Sequence, residues 1–76
     1  MTKERLLLII NELLINEGQT ELDFLDCSLD LKNDIGFDSL MLASLTVIIE
    51  SECGVDIFED GLVNTIGEVY DRINRQ

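Results

Sequence analysis

The chain has no histidine and no proline, and only 5 basic residues stand against 16 acidic ones. Without histidine there is no Ser-His or Cys-His pair to activate a nucleophile, and no imidazole to bind a metal. Two cysteines, Cys27 and Cys53, make a poor zinc site and no disulfide framework. They are expected to be reduced, unreactive thiols, at least partly buried. The lack of proline, with few aromatics and several aliphatic runs, favours helices over a many-stranded sheet. Long hydrophobic runs are missing too. The run from Leu6 to Ile10 is halted by Asn11 and Glu12, too short for a membrane span. No small-residue cleavage site follows it, so a signal peptide is not expected and the cytoplasm is.

What is present fits one small domain over residues 1–76. An apolar fraction of 46% supports a core, although a modest one. The net charge of −11 repels nucleic acid and anionic lipid, and it steers encounters with basic surfaces. The blander reading is that the charge keeps a small monomeric domain in solution.

Thr2 to Glu17 reads as a first helix. Thr2 can cap it, Leu6, Ile9, Ile10, Leu13 and Leu14 recur at helical spacing, and Gly18 ends it. Gln19 to Asp38 has no clean period. A stretch of about 20 residues without regular structure tends to be functional, and its scattered apolar residues suggest a loop pinned across the core. Asp38 to Cys53 reads as a second helix, capped by Asp38 and stopped by Gly54. Leu42, Leu45 and Ile49 are its expected buried stripe. Val55 to Phe58 reads as a short extended link, with a weak helical turn around Asp60 to Val63. Thr65 to Arg75 reads as the last helix: Thr65 and Glu68 have capping-box spacing, Ile66, Val69, Tyr70 and Ile73 share a face, and Arg72 and Arg75 suit its last turn. Tyr70 is expected in the core, with its hydroxyl at the rim.

The chemistry lies in Asp34-Ile35-Gly36-Phe37-Asp38-Ser39-Leu40. A glycine, an acid and a serine meet where the long loop becomes a helix. That helix end carries unsatisfied N–H groups and the positive pole of the dipole, a favourable place for a phosphodiester. Nothing nearby can activate Ser39, so it suits modification by another enzyme. Taken alone, Ser39 beside its cap could be only the first residue of a helix. The acidic loop does not fit an EF-hand calcium site: counting from Asp30 puts Met41 at the twelfth position, and from Asp56 puts Gly67 there, where a glutamate is needed. No metal site is expected.

This segment resembles the acyl carrier protein family, which includes acyl, peptidyl and D-alanyl carrier domains and typically shows D-L-G-x-D-S-L here. The resemblance extends through the apolar helix to Gly54-Val55-Asp56-Ile57, a link typical of peptidyl carriers, and to the last helix. It implies an all-α four-helix bundle, with three main helices, a short third helix and a long loop between helices one and two. It implies 4'-phosphopantetheine, taken from coenzyme A by a phosphopantetheinyl transferase, on Ser39, with Gly36, Asp38 and Leu40 around the attachment. It also implies that Asp38 places a metal ion in the transferase reaction. The arm would carry acyl or aminoacyl thioesters between a loading enzyme and later synthases or transferases in fatty-acid, polyketide or nonribosomal-peptide biosynthesis. The chain itself would not be an enzyme. Two features depart from the family: Phe58 stands where a proline is usual, and the stretch from Ile57 to Thr65 is about two residues shorter than is common.

Stepping 100° per residue puts Leu40, Ser44, Val47 and Ser51 opposite the expected buried stripe, with Met41 and Ile48 beside them. This face has almost no charge. Leu40, Met41, Ser44, Val47 and Ile48 are therefore the expected docking surface, closer to peptidyl carriers than to the acid-rich fatty-acid type. A rival reading from another class is an acidic helical adaptor that binds a basic protein and is never modified.

Overall fold

In the computed structural model, which describes residues 1–59, 61 and 63–74, the Thr2 hydroxyl accepts the Arg5 N–H at 3.1 Å and caps helix α1 (Lys3–Asn16). Gly18 ends the helix at φ +74°, a conformation that favours glycine. Its N–H and that of Gln19 turn back to the Ile15 and Leu14 carbonyls at 2.9 and 2.8 Å. Leu6, Ile9, Ile10 and Leu14 are buried as the spacing predicts. Full burial of such a side chain stabilises by about 1.5–3 kcal/mol. Asn11 lies on the same face. Its amide donates to the Leu22 carbonyl at 3.0 Å and accepts the Leu22 N–H at 2.8 Å. One side chain thus satisfies both backbone groups of a loop residue and ties the loop to α1.

Helix α2 (Ser39–Cys53) begins at its Asp38 cap and ends at Gly54, which is left-handed at φ +71° and donates to the Glu50 carbonyl at 2.8 Å. Its buried stripe is Met41, Leu45 and Ile49. Leu42, expected in that stripe, is only half-buried. Nearly every position from Leu40 to Ile49 is apolar, so pattern alone does not select the inner face and contact with α1 and the loop does. Arg5 and Glu52 join the start of α1 to the end of α2 through two hydrogen bonds of 2.9 and 2.6 Å. The two helices therefore lie antiparallel there.

Helix α3 (Ile66–Asn74) satisfies all the N–H groups at its start. Glu68 N–H donates to the Thr65 hydroxyl at 3.2 Å, and Thr65 N–H donates to the Glu68 carboxylate at 3.1 Å, so the expected capping box is formed. The loop supplies the rest: Ile66 N–H reaches the Leu29 carbonyl and Gly67 N–H the Cys27 carbonyl, both at 3.0 Å. A side chain on Gly67 would bring its Cβ to 2.9 Å from that carbonyl, so only glycine permits the approach without a shift. Asp30 and Thr65 form a single antiparallel bridge, and Leu31 N–H donates to the Asn64 carbonyl at 2.8 Å. The aperiodic loop is pinned, as expected, by its backbone as well as by its side chains.

Cys27 is exposed, contrary to expectation, because its carbonyl and not its thiol makes the contact with α3; Cys53 is half-buried. Tyr70 is half-buried, with the Lys3 ammonium 5.4 Å from its ring centroid. The extended link is shorter than predicted: a turn starts at Ile57, with Glu59 N–H donating to the Asp56 carbonyl at 3.2 Å. Arg72 donates to the carbonyls of Ile57 at 2.9 Å and Gly61 at 3.4 Å, fastening this turn to α3. The expected third helix includes Asp60 and Leu62, which lie outside the described residues, as does Arg75. Among the described residues there are three helices, around a core to which the helices, the loop and the link all contribute. None of these helices is long and apolar enough to cross a membrane.

Candidate functional site

The approach to Ser39 is built by backbone-bound carboxylates. The Asp30 carboxylate accepts the N–H groups of Lys32 and Asn33, each at 2.9 Å, while Asp34 reaches back to the Asp30 N–H at 2.7 Å. The Asp30 carbonyl accepts from Asp34 and Ile35, both at 3.0 Å. The chain then reverses at Gly36, where φ is +89° and a side chain would be strained. Ile35 and Phe37 are buried on either side of it, and Phe37 N–H donates to the Leu31 carbonyl at 2.8 Å. These contacts fix the chain immediately before Asp38.

Asp38 is extended, and its carboxylate accepts the Met41 N–H at 2.8 Å. Its role as the cap, expected from sequence, is present. Ser39 follows as the first residue of α2. Its side chain is exposed, and its hydroxyl has no hydrogen-bond partner among the described residues. The site therefore presents a free, unactivated hydroxyl at the positive end of a helix. Leu40 beside it is 69% exposed and Val47 67% exposed. Ser44 and Ile48 are half-buried.

Met41 does not belong with them. It is 2% exposed, inside the core with Leu45 and Ile49, because α2 is rotated relative to the Leu42-centred expectation. The outward surface is Leu40, Ala43, Ser44 and Val47. Two shallow apolar grooves flank it. One, of about 440 Å³, lies between α1 and α2 and is lined by Leu13, Ala43, Ser44, Val47 and Ile48. The other, of about 540 Å³, opens beside Ser39 and is lined by Lys32, Leu42, Ala43, Thr46, Asp56 and Phe58.

A family model described as a phosphopantetheine attachment site matches residues 7–73. The chain belongs to this family. Its members hold 4'-phosphopantetheine covalently, and the match makes this a carrier domain. The residues present fit that group: a free exposed hydroxyl stands at a helix N-terminus, and an open groove begins at the same serine. No curated protein and no solved structure gives a comparable match.

Sequence reasoning missed three residues of the site and its support. Lys32 shares the groove with Ser39. A cation inside an acidic loop, in a chain with only 5 basic residues, was the signal. Asn11 was legible as a polar residue interrupting an apolar face. Phe37 had no signal beyond its place in the motif.

Proposed function

We propose that this carrier domain holds acyl or aminoacyl groups as thioesters on an arm attached at Ser39, for fatty-acid, polyketide or nonribosomal-peptide-type synthesis. The observation that carries the reading is the exposed, unpartnered Ser39 hydroxyl in the first turn of α2, inside the matched region. The bound group supplies a terminal thiol on which cargo rides. The chain's own residues position it. Asp38 caps α2 and fixes the direction in which Ser39 leaves the helix, Gly36 lets the loop turn, and Phe37 anchors it. With no histidine in the chain, Ser39 depends on a transferase for its modification.

The partners are a phosphopantetheinyl transferase, a loading enzyme and later synthases or transferases, met by a cytoplasmic monomer that is not itself a catalyst. Leu40, Ser44 and Val47, with the exposed part of Ile48, form the docking face. From Ser39 to Ile49 the helix carries no charge, which favours specialised acyl or aminoacyl transfer over the acid-rich fatty-acid type. The test is intact-mass measurement after incubation with coenzyme A and a broad-specificity transferase. One arm is expected on the wild type and none on Ser39→Ala, whose helical circular dichroism should be unchanged. An arm on the alanine variant would refute Ser39, and no arm on either protein would leave the unmodified acidic adaptor.

A further inference from the structure

We infer that Lys32 holds the phosphodiester of the arm and that the arm rests in the groove walled by Leu42, Ala43, Thr46 and Phe58, an inference that relies on attachment at Ser39. Lys32 and Ser39 line the same groove. The other described cationic side chains are engaged: Lys3 stands over the Tyr70 ring, Arg5 is paired with Glu52, and Arg72 donates to two carbonyls. Lys32 has no side-chain hydrogen bond or ion pair among the described residues.

Asp56 lines the same groove, yet neither it nor Asp30 nor Asp34 forms an ion pair with Lys32 among the described residues, and each directs one oxygen to the backbone. Asp30 accepts from Lys32 and Asn33, Asp34 accepts from Asp30, and Asp56 accepts from Phe58 at 2.9 Å. In a chain of net charge −11, a phosphodiester on the surface meets repulsion nearly everywhere. Lys32 is the uncommitted positive group at the one place where that anion is fixed. Beyond it the groove offers apolar walls to the methyl and methylene parts of the arm. The Thr46 hydroxyl donates to the Leu42 carbonyl at 2.9 Å, so its oxygen remains free to accept an N–H from an arm amide.

The arm thus has a resting place on its own carrier and leaves it when a partner takes the thiol. The experiment uses the arm-bearing protein, with the modification first confirmed by intact mass, as wild type, Lys32→Arg and Lys32→Gln. Nuclear Overhauser effects are recorded between the geminal methyls of the arm and the Leu42 and Phe58 side chains, together with the phosphorus resonance. The contacts are expected in the wild type and in Lys32→Arg. In Lys32→Gln the ratio of docked to free arm should fall about 1.4- to 5-fold, the range of an exposed ion pair, and added salt should lower it in the wild type. Contacts absent from the modified wild type, or unchanged in Lys32→Gln, would overturn the inference. A wild type that gains no arm at all would overturn the Ser39 reading, and this inference with it.

Discussion

Replacing Leu40 or Val47 by glutamate separates the docking face from the core. Leu40 is 69% exposed and Val47 67% exposed, on the side of α2 that leads to Ser39. Fully burying a leucine or valine side chain stabilises by about 1.5–3 kcal/mol. Two thirds of that, the share still open to solvent, is about 1–2 kcal/mol, or roughly 5- to 30-fold in kcat/KM at 1.4 kcal/mol per factor of ten. A buried carboxylate would add its own desolvation cost, so this range is the lower side of the expected effect.

Met41→Glu serves as the contrast. At 2% exposure it would place a charge in the core, and a small domain with only a few kcal/mol of stability should unfold. The assay is the rate at which the cognate enzyme loads purified, arm-bearing variants, with the thermal midpoint read by circular dichroism. Leu40→Glu and Val47→Glu should load slowly and stay folded, while Met41→Glu should lose its helical signal. Normal loading by both surface variants, with loading crippled in the exposed Glu50→Gln, would refute the apolar docking face and favour electrostatic docking.

Asn11→Ala removes both hydrogen bonds to Leu22 and should cost about 1–3 kcal/mol, read as a lower urea midpoint; an unchanged midpoint would mean the loop does not rely on this contact. The Glu52 carboxyl is held below its ordinary value of 4.5, first by its hydrogen bond from Arg5. Because that pKa is depressed in the folded state, its stabilisation is present above pH 4.5 and lost as pH falls through the lower folded value. The midpoint difference between wild type and Glu52→Gln should therefore vanish in strong acid, and a difference that persisted at low pH would contradict the pairing.

Features written in neighbouring residues were legible in the sequence. The caps at Thr2, Asp38 and Thr65, and the stops at Gly18 and Gly54, each depend on a side chain or a glycine a few positions from the groups it serves. So was the family, because the residues that carry the resemblance are consecutive. The rotation of α2 was not, since Met41 and Leu42 are both apolar and only the surface they meet decides which turns inward. The exposure of Cys27 was equally hidden. Its residue type suggested burial, but its position is set by the Gly67 N–H, 40 positions along the chain, bonding to its backbone.

The acidity of the loop has a structural cause that composition does not reveal. Asp26, Asp30, Asp34 and Asp38 recur every four residues, and each accepts at least one backbone N–H: from Ser28, from Lys32 and Asn33, from Asp30, and from Met41. In a segment with neither helix nor sheet ladder, these carboxylates supply the acceptors that regular structure would otherwise provide. The Ser28 backbone N–H accordingly holds the Asp26 carboxyl below its ordinary range. At these four positions the negative charge and the loop's shape are therefore one feature. Alanine at these positions would remove charge and, in the same step, the contacts that aim Ser39. Charge at these four aspartates cannot be changed without touching the loop's shape, whereas Glu21 and Asp23, exposed and bonded to no backbone N–H among the described residues, and the uncharged surface of α2 can change without moving Ser39.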